Sequence, residues 1–163
     1  MTWRIVHDRA GGLGPALGPA LGLALALGLA APAAAEWSTQ AGGGAVLVRH
    51  QDGGWTMELR CTRGVPDVLG VVLTGPAADS LAGVTALRIG AELPGGERRG
   101  AEVPVTGRGA VATGNWRVND RALEIFAQGL RMGIRLGDSG RALTTDMRGT
   151  AAARAAIRSE CGF

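Results

Sequence analysis

Apolar and polar residues alternate through much of the chain. Trp55, Met57, Leu59 and Cys61 interleave with Thr56, Glu58, Arg60 and Thr62. That period of two belongs to a strand with one inward face, and it puts Cys61 on that face. Further short apolar runs span Ala45 to Val48, Val68 to Thr74, Thr85 to Glu92, Ala101 to Thr106 and Ala110 to Val118. Gln51-Asp52-Gly53-Gly54, Gly75-Pro76, Pro94-Gly95-Gly96 and Gly107-Arg108-Gly109 separate them, and such residues build turns. Ahead of the first run, Trp37 to Gly44 reads as a loose lead-in ending in a Gly triplet.

The clearest hairpin comes late. Leu130, Met132, Ile134 and Leu136 alternate with Arg131, Gly133 and Arg135, and the turn is Gly137-Asp138-Ser139-Gly140. If Leu136 pairs with Arg141, then Ile134 faces Leu143 and Arg131 faces Asp146. Opposite charges across the pair agree with that register. Two helices interrupt the strands. Asn119 or Asp120 caps one that runs to about Gln128, with Gly129 as its stop and Ala122, Leu123, Ile125, Phe126 and Leu130 as its apolar side. Thr150 caps the other. Its Ala153, Ile157 and Cys161 fall four apart on one face, and Gly162 follows as a stop. The pattern predicts a mainly β fold: an antiparallel β-sandwich or partly open barrel with two short helices, the second at the C-terminus.

The N-terminal tract has a different texture. Arg4 and Arg9 lie in the first nine residues, and no charge follows from Ala10 to Ala35. Leu21 to Ala31 reads LGLALALGLAA, Pro32 breaks it, and Ala33-Ala34-Ala35 supplies a small-residue cleavage site. Charged, apolar, small is the order of a secretory signal peptide. The tract is also long enough to span a bilayer, so an uncleaved anchor stays open, although Pro15, Pro19 and several Gly weaken a continuous helix there. The expected organisation is a signal peptide over 1–35, a lead-in over 36–44 and a single β-rich domain over 45–163, placed in the periplasm or secreted. After cleavage no stable membrane anchor remains.

Export changes the reading of the thiols. Cys61 and Cys161 are the only two, and an oxidising compartment pairs them. Both point inward on their own elements, so one bridge is expected. No CxxC spacing supports a redox or metal-binding pair.

Composition mostly excludes. Two Cys cannot form a four-thiolate zinc site, and the segment after residue 35 keeps only His50 to supplement them; neither a metal nor a cofactor is expected. The chain holds no Lys, so Schiff-base chemistry is excluded. Aromatics at 4% make a poor stacking platform for single-stranded nucleic acid. Beyond residue 35 there are 15 Arg and 13 acidic residues, a net charge of about +2, which gives no case for a nucleic-acid partner. The distribution is uneven: Glu36 to Glu97 holds 4 Arg and 7 acids, Arg98 to Phe163 holds 11 Arg and 6 acids. A basic C-terminal half suits an anionic surface or partner, though solvated Arg explains it too.

Candidate chemistry is sparse. Gly137-Asp138-Ser139-Gly140 resembles the nucleophile segment of chymotrypsin-like serine proteases, which would make Ser139 the nucleophile, His50 the base and Asp79 or Asp120 the orienting acid. Against this, Arg141 stands where that motif ends in Gly, and turn chemistry alone explains the string. Arg98 and Arg99, with Glu97 on an exposed loop bounded by Pro94-Gly95-Gly96 and Gly100, and Trp116 are candidate partner contacts. Trp55 belongs with the core.

The order of features resembles a known group. A leader precedes WTMELRC (Trp55 to Cys61), then come ALEIF (Ala122 to Phe126), LRMGIRL (Leu130 to Leu136) and MRGTAAARAAIRSEC (Met147 to Cys161). This is similar to small exported alphaproteobacterial proteins of the invasion-associated locus B kind, whose extra Cys pairs are missing here. The resemblance implies a β-rich periplasmic protein and carries no catalytic residue over. The expected function is therefore an exported, non-enzymatic β-rich domain binding an envelope or protein partner. A small serine hydrolase using Ser139 and His50, and an inhibitor of a secreted enzyme, are the alternatives. The intact mass of the protein recovered from an exporting host is expected to begin at Glu36; a soluble species retaining Met1 would contradict the leader.

Overall fold

Each alternating run becomes a strand because only one of its faces can be buried. The computed structural model describes residues 36–163, so the expected signal peptide at 1–35 lies outside the described residues. The strands are β1 (Ser38–Gly42), β2 (Ala45–Asp52), β3 (Trp55–Thr62), β4 (Val68–Thr74), β5 (Ala86–Glu92), β6 (Arg98–Arg108), β7 (Val111–Arg117), β8 (Arg131–Leu136) and β9 (Ala142–Asp146). Helix α1 (Asp120–Gln128) follows β7, and α2 (Thr150–Cys161) ends the chain. The strands form one sheet in the order β1-β2-β3-β4-β7-β6-β5-β8-β9, with every neighbouring pair antiparallel. The sheet curls into a half-barrel, so the partly open barrel is the form realised, with the second helix at the C-terminus.

The inner face is apolar along its middle strands, with His50 of β2 a buried polar exception toward the edge. Val48, Leu59, Val71, Ile89, Val103 and Met132 lie in one continuous core with Phe126 of α1 and Ile157 of α2. Hydrogen bonding explains where the sheet divides. Val105 N–H donates to the Thr85 carbonyl and Gly107 N–H to that of Val84, so the alternate residues of β6 turn toward β7. Pro104 is the next of these and has no N–H. Pairing of β6 with β7 accordingly stops at Val105, while β6 stays paired with β5 from Pro104 to Arg98. Gly114 sits at the crossing. A Cβ there would lie 2.1 Å from the Pro104 oxygen, so no side chain fits.

The β8–β9 register is the one expected, with Ile134 opposite Leu143 and Arg131 opposite Asp146. The carboxylate itself turns elsewhere: Asp146 pairs with Arg148 at 2.8 Å. Asn119 caps α1 through its side chain, which accepts from Ala122 N–H. Leu130, expected on the apolar side of that helix, lies beyond it and is exposed.

Two expectations need correction. The segment 36–44 is no loose lead-in. Ser38–Gly42 pairs with β2, and Gly43 and Gly44, both at positive φ, form the tight hairpin turn. Trp37 just before it is 3% exposed. Its backbone N–H donates to the Arg148 carbonyl and its indole N–H to the Asp146 carbonyl, both at 3.0 Å, tying the β1 side of the sheet to the β9 side. The apolar bulk of one Trp decided the matter, outweighing the surrounding Gly. The cap of α2 also differs. Gly149 at φ 88° is the N-cap and makes no side-chain bond, whereas Thr150 is inside the helix and donates its hydroxyl to the Met147 carbonyl at 2.7 Å.

Ala153, Ile157 and Cys161 share the buried side of α2. Cys61 and Cys161 are joined, with Cα atoms 6.1 Å apart and a sequence separation of 100. Loop-closure entropy puts an upper figure of about 4.7 kcal/mol on a bridge of that span. A Cys161→Ser variant is expected to lose about 2–5 kcal/mol of unfolding free energy, measured from urea midpoints. Reductant should weaken the wild type by a similar amount and leave the variant unchanged.

Candidate functional site

The residues named for a catalytic triad are engaged elsewhere. Ser139 lies in the β8–β9 turn and donates its hydroxyl to the Leu136 carbonyl at 2.6 Å. Asp79 pairs with Arg141 at 3.1 Å and Asp120 with Arg158 at 3.3 Å. His50 is on the inner face of β2, 6% exposed, with its ring stacked on Trp37 at 4.9 Å. The Thr145 hydroxyl lies 2.6 Å from His50 Nε2 and 3.1 Å from the Asp146 carbonyl, and the tautomer of the ring sets which group donates to which. Nδ1 is buried and has no partner among the described residues. No hydrogen bond joins Ser139 to His50 there, and no three metal-binding side chains gather.

The His50 imidazole is therefore part of the seam between β2 and β9. Burial pushes its pKa below the ordinary 6.5, with Asp52 and Asp146 pulling the other way. The unfolded chain then takes up this proton first. Stability is full above pH 6.5 and declines as the pH falls below it. The carboxylates held low by arginines, Glu58 and Asp146, titrate below that window. The urea midpoint of the wild type is expected to fall between pH 7 and about pH 5.5, and His50→Gln should remove most of that fall. An equal fall in both proteins would assign the effect to other groups.

Glu58 belongs to a second buried polar arrangement, which nothing in the alternation announces. It lies on the outer face of β3, yet is 7% exposed. Arg49, its cross-strand neighbour, donates Nε at 2.9 Å and Nη2 at 2.5 Å, and Arg60 donates from two residues on. Burial raises the Glu58 pKa, but the hydrogen bonds from Arg49 and Arg60 outweigh it and hold the carboxyl below its ordinary value. Every strong acceptor there is used, so the cluster reads as structural.

The open chemistry lies on the outer face of β6, β5, β8 and β9. Registration aligns three rows across β6, β5 and β8, and Thr144 of β9 ends the middle one. Gly100, Gly90 and Gly133 form the middle row. Arg98, Glu92 and Arg131 form the row on one side, and Glu102, Arg88 and Arg135 the row on the other. A line of glycines leaves the middle row without side chains on those three strands, so the charged rows become walls. The result is a trough of about 780 Å³. Arg88 is held by Glu102 at 3.0 Å and Asp138 at 3.2 Å. Arg98, Arg131 and Arg135 make no ion pair among the described residues. The trough thus offers guanidinium donors outside ion-pair distance of any carboxylate among the described residues, with Glu92 standing between Arg98 and Arg131 in their row.

Arg98 and Arg99 were expected as contacts on a loop. They open β6 instead, directly after the Pro94–Gly96 turn. Arg98 is free, whereas Arg99 is clamped by Glu97 at 2.7 Å. Trp116 is not a surface contact: it is 2% exposed and its ring lies 5.9 Å from that of Phe126. Asn115 and Arg117 point outward, so alternation alone turns Trp116 inward. Trp55 is only half-buried and carries the Arg141 guanidinium 5.3 Å from its ring centre. The glycine row escaped sequence reasoning, because each Gly reads locally as a strand weakener and only the register aligns them. The chain matches no protein-family model, no curated protein and no solved structure.

Proposed function

We propose that this protein is an exported, non-enzymatic binding domain that holds an anionic partner of the cell envelope in the glycine-floored trough. The single observation that carries the reading is the trough itself: among the described residues Arg98, Arg131 and Arg135 make no ion pair, around a floor without side chains. A guanidinium is a planar multiple donor suited to carboxylate and phosphate groups. Flanking Glu92 and Glu102 space the positive charges and keep the face from being uniformly basic. Part of the excess of Arg beyond residue 97 is concentrated here.

Two further points support export. The leader-like tract precedes the described domain, and a Cys61–Cys161 bridge is compatible with an oxidising compartment. The resemblance to exported proteins of the invasion-associated locus B kind points to the same compartment, and no invasion role is taken from it.

The test is retention of envelope components on the immobilised protein at low salt. The wild type is expected to retain specific anionic components and to release them as salt is raised. Arg131→Ala/Arg135→Ala should lose most of that retention while unfolding at an unchanged urea midpoint. Equal retention by wild type and variant would remove the trough from the account.

A further inference from the structure

A second opening lies on the far side of β6. Because pairing with β7 ends at Pro104, the two strands diverge, and the first turns of α1 lie across the gap. The cleft so formed has a volume of about 440 Å³, within the roughly 300–1,000 Å³ range of small-ligand sites. Arg98 of β6, Arg117 of β7 and Arg121 of α1 line it, and none of the three makes an ion pair among the described residues. Arg99 also lines it but is held by Glu97, and Glu97 and Glu124 add some negative potential nearby. No acidic side chain is among the lining residues.

Trp116 supplies an independent observation. It lines this cleft, is almost fully buried, and its indole N–H finds no acceptor among the described residues. A buried donor without an acceptor is costly, and such groups in folded proteins are nearly always satisfied. The contrast with Trp37 is direct, since the Trp37 indole N–H is bonded to the Asp146 carbonyl. The start of α1 adds a weaker favourable field for an anion. Asn119 already uses its side-chain oxygen on Ala122 N–H, and the Asp120 carboxylate is turned to Arg158.

We infer that the cleft between β6, β7 and α1 binds a small organic anion, a compact carboxylate or phosphate compound. Arg117 and Arg121 hold its charged oxygens, and a small turn of the Trp116 ring, whose N–H is closed off as the cleft stands, brings that donor to a further acceptor on the ligand. The site goes beyond the trough reading and does not depend on it, although Arg98 and Arg99 border both openings.

The experiment follows the indole N–H signals of the purified protein by nuclear magnetic resonance during titration with citrate and, separately, inorganic phosphate. Chloride at matched ionic strength is the control, and Trp116→Phe identifies the signal by removing it. The Trp116 signal is expected to move saturably with at least one of the two probes, while the Trp37 signal stays in place. Arg117→Ala/Arg121→Ala should weaken that binding at least about tenfold, and Arg131→Ala/Arg135→Ala should leave it unchanged. A Trp116 signal that ignores both probes, or follows chloride equally, would mean that water alone satisfies the indole, and overturns the site. Unchanged binding by the Arg117/Arg121 variant overturns it as well. Loss of envelope retention with cleft binding intact, or the reverse, tells failure of one reading from failure of the other.

Discussion

The missing N–H of Pro104 is the constraint from which the two openings follow. An antiparallel ladder needs a donor at every second residue on each side, and β6 runs out of donors toward β7 at that position. The strand can then follow β5 and turn away from β7 without leaving the sheet. Its first half becomes a wall with two sides. The outward row of that half forms one margin of the glycine-floored trough, and its free edge borders the cleft beneath α1. A donor at residue 104 would favour further pairing with β7 and close the gap.

A half-barrel has open edges, and exposed edges invite unwanted pairing. Here the Trp37 seam ties the β1 side to the β9 side through two hydrogen bonds and the stacked His50 ring. Beside it, α2 is fastened to β3 by the Cys61–Cys161 bridge and to α1 by the Arg154–Glu124 and Arg158–Asp120 pairs. These fastenings respond to different conditions. The seam contains an imidazole that burial keeps neutral and so weakens in acid, whereas the bridge depends on the redox state of the compartment. The exposed Arg158–Asp120 pair adds little by comparison.

The charge of the domain is organised more than its net value suggests. The buried Glu58 consumes Arg49 and Arg60, and Asp146, Asp79 and Glu97 each consume a nearby arginine. What remains without an ion pair among the described residues around β6 and β8 is a small set of guanidiniums on the walls of two openings. A binding role draws its support from that residue of free donors. The catalytic alternative has no comparable concentration of chemistry, since the hydroxyl of Ser139 and the ring of His50 are committed to separate structural bonds.

Local periodicity carried the strand pattern, the α1 cap at Asn119, the β8–β9 register and the inward direction of both Cys, because each depends on neighbours a few residues apart. The lead-in was misread for the same reason: eight residues rich in Gly and polar groups look loose until a distant Asp146 and Arg148 receive the Trp37 donors. Burial of Glu58 and His50, the alignment of Gly90, Gly100 and Gly133, and the closeness of Arg98 to Arg117 and Arg121 are all cross-strand or cross-element facts. They exist only once the chain has chosen which strands lie side by side. Alternation states which way a residue faces, and only tertiary pairing states what it faces.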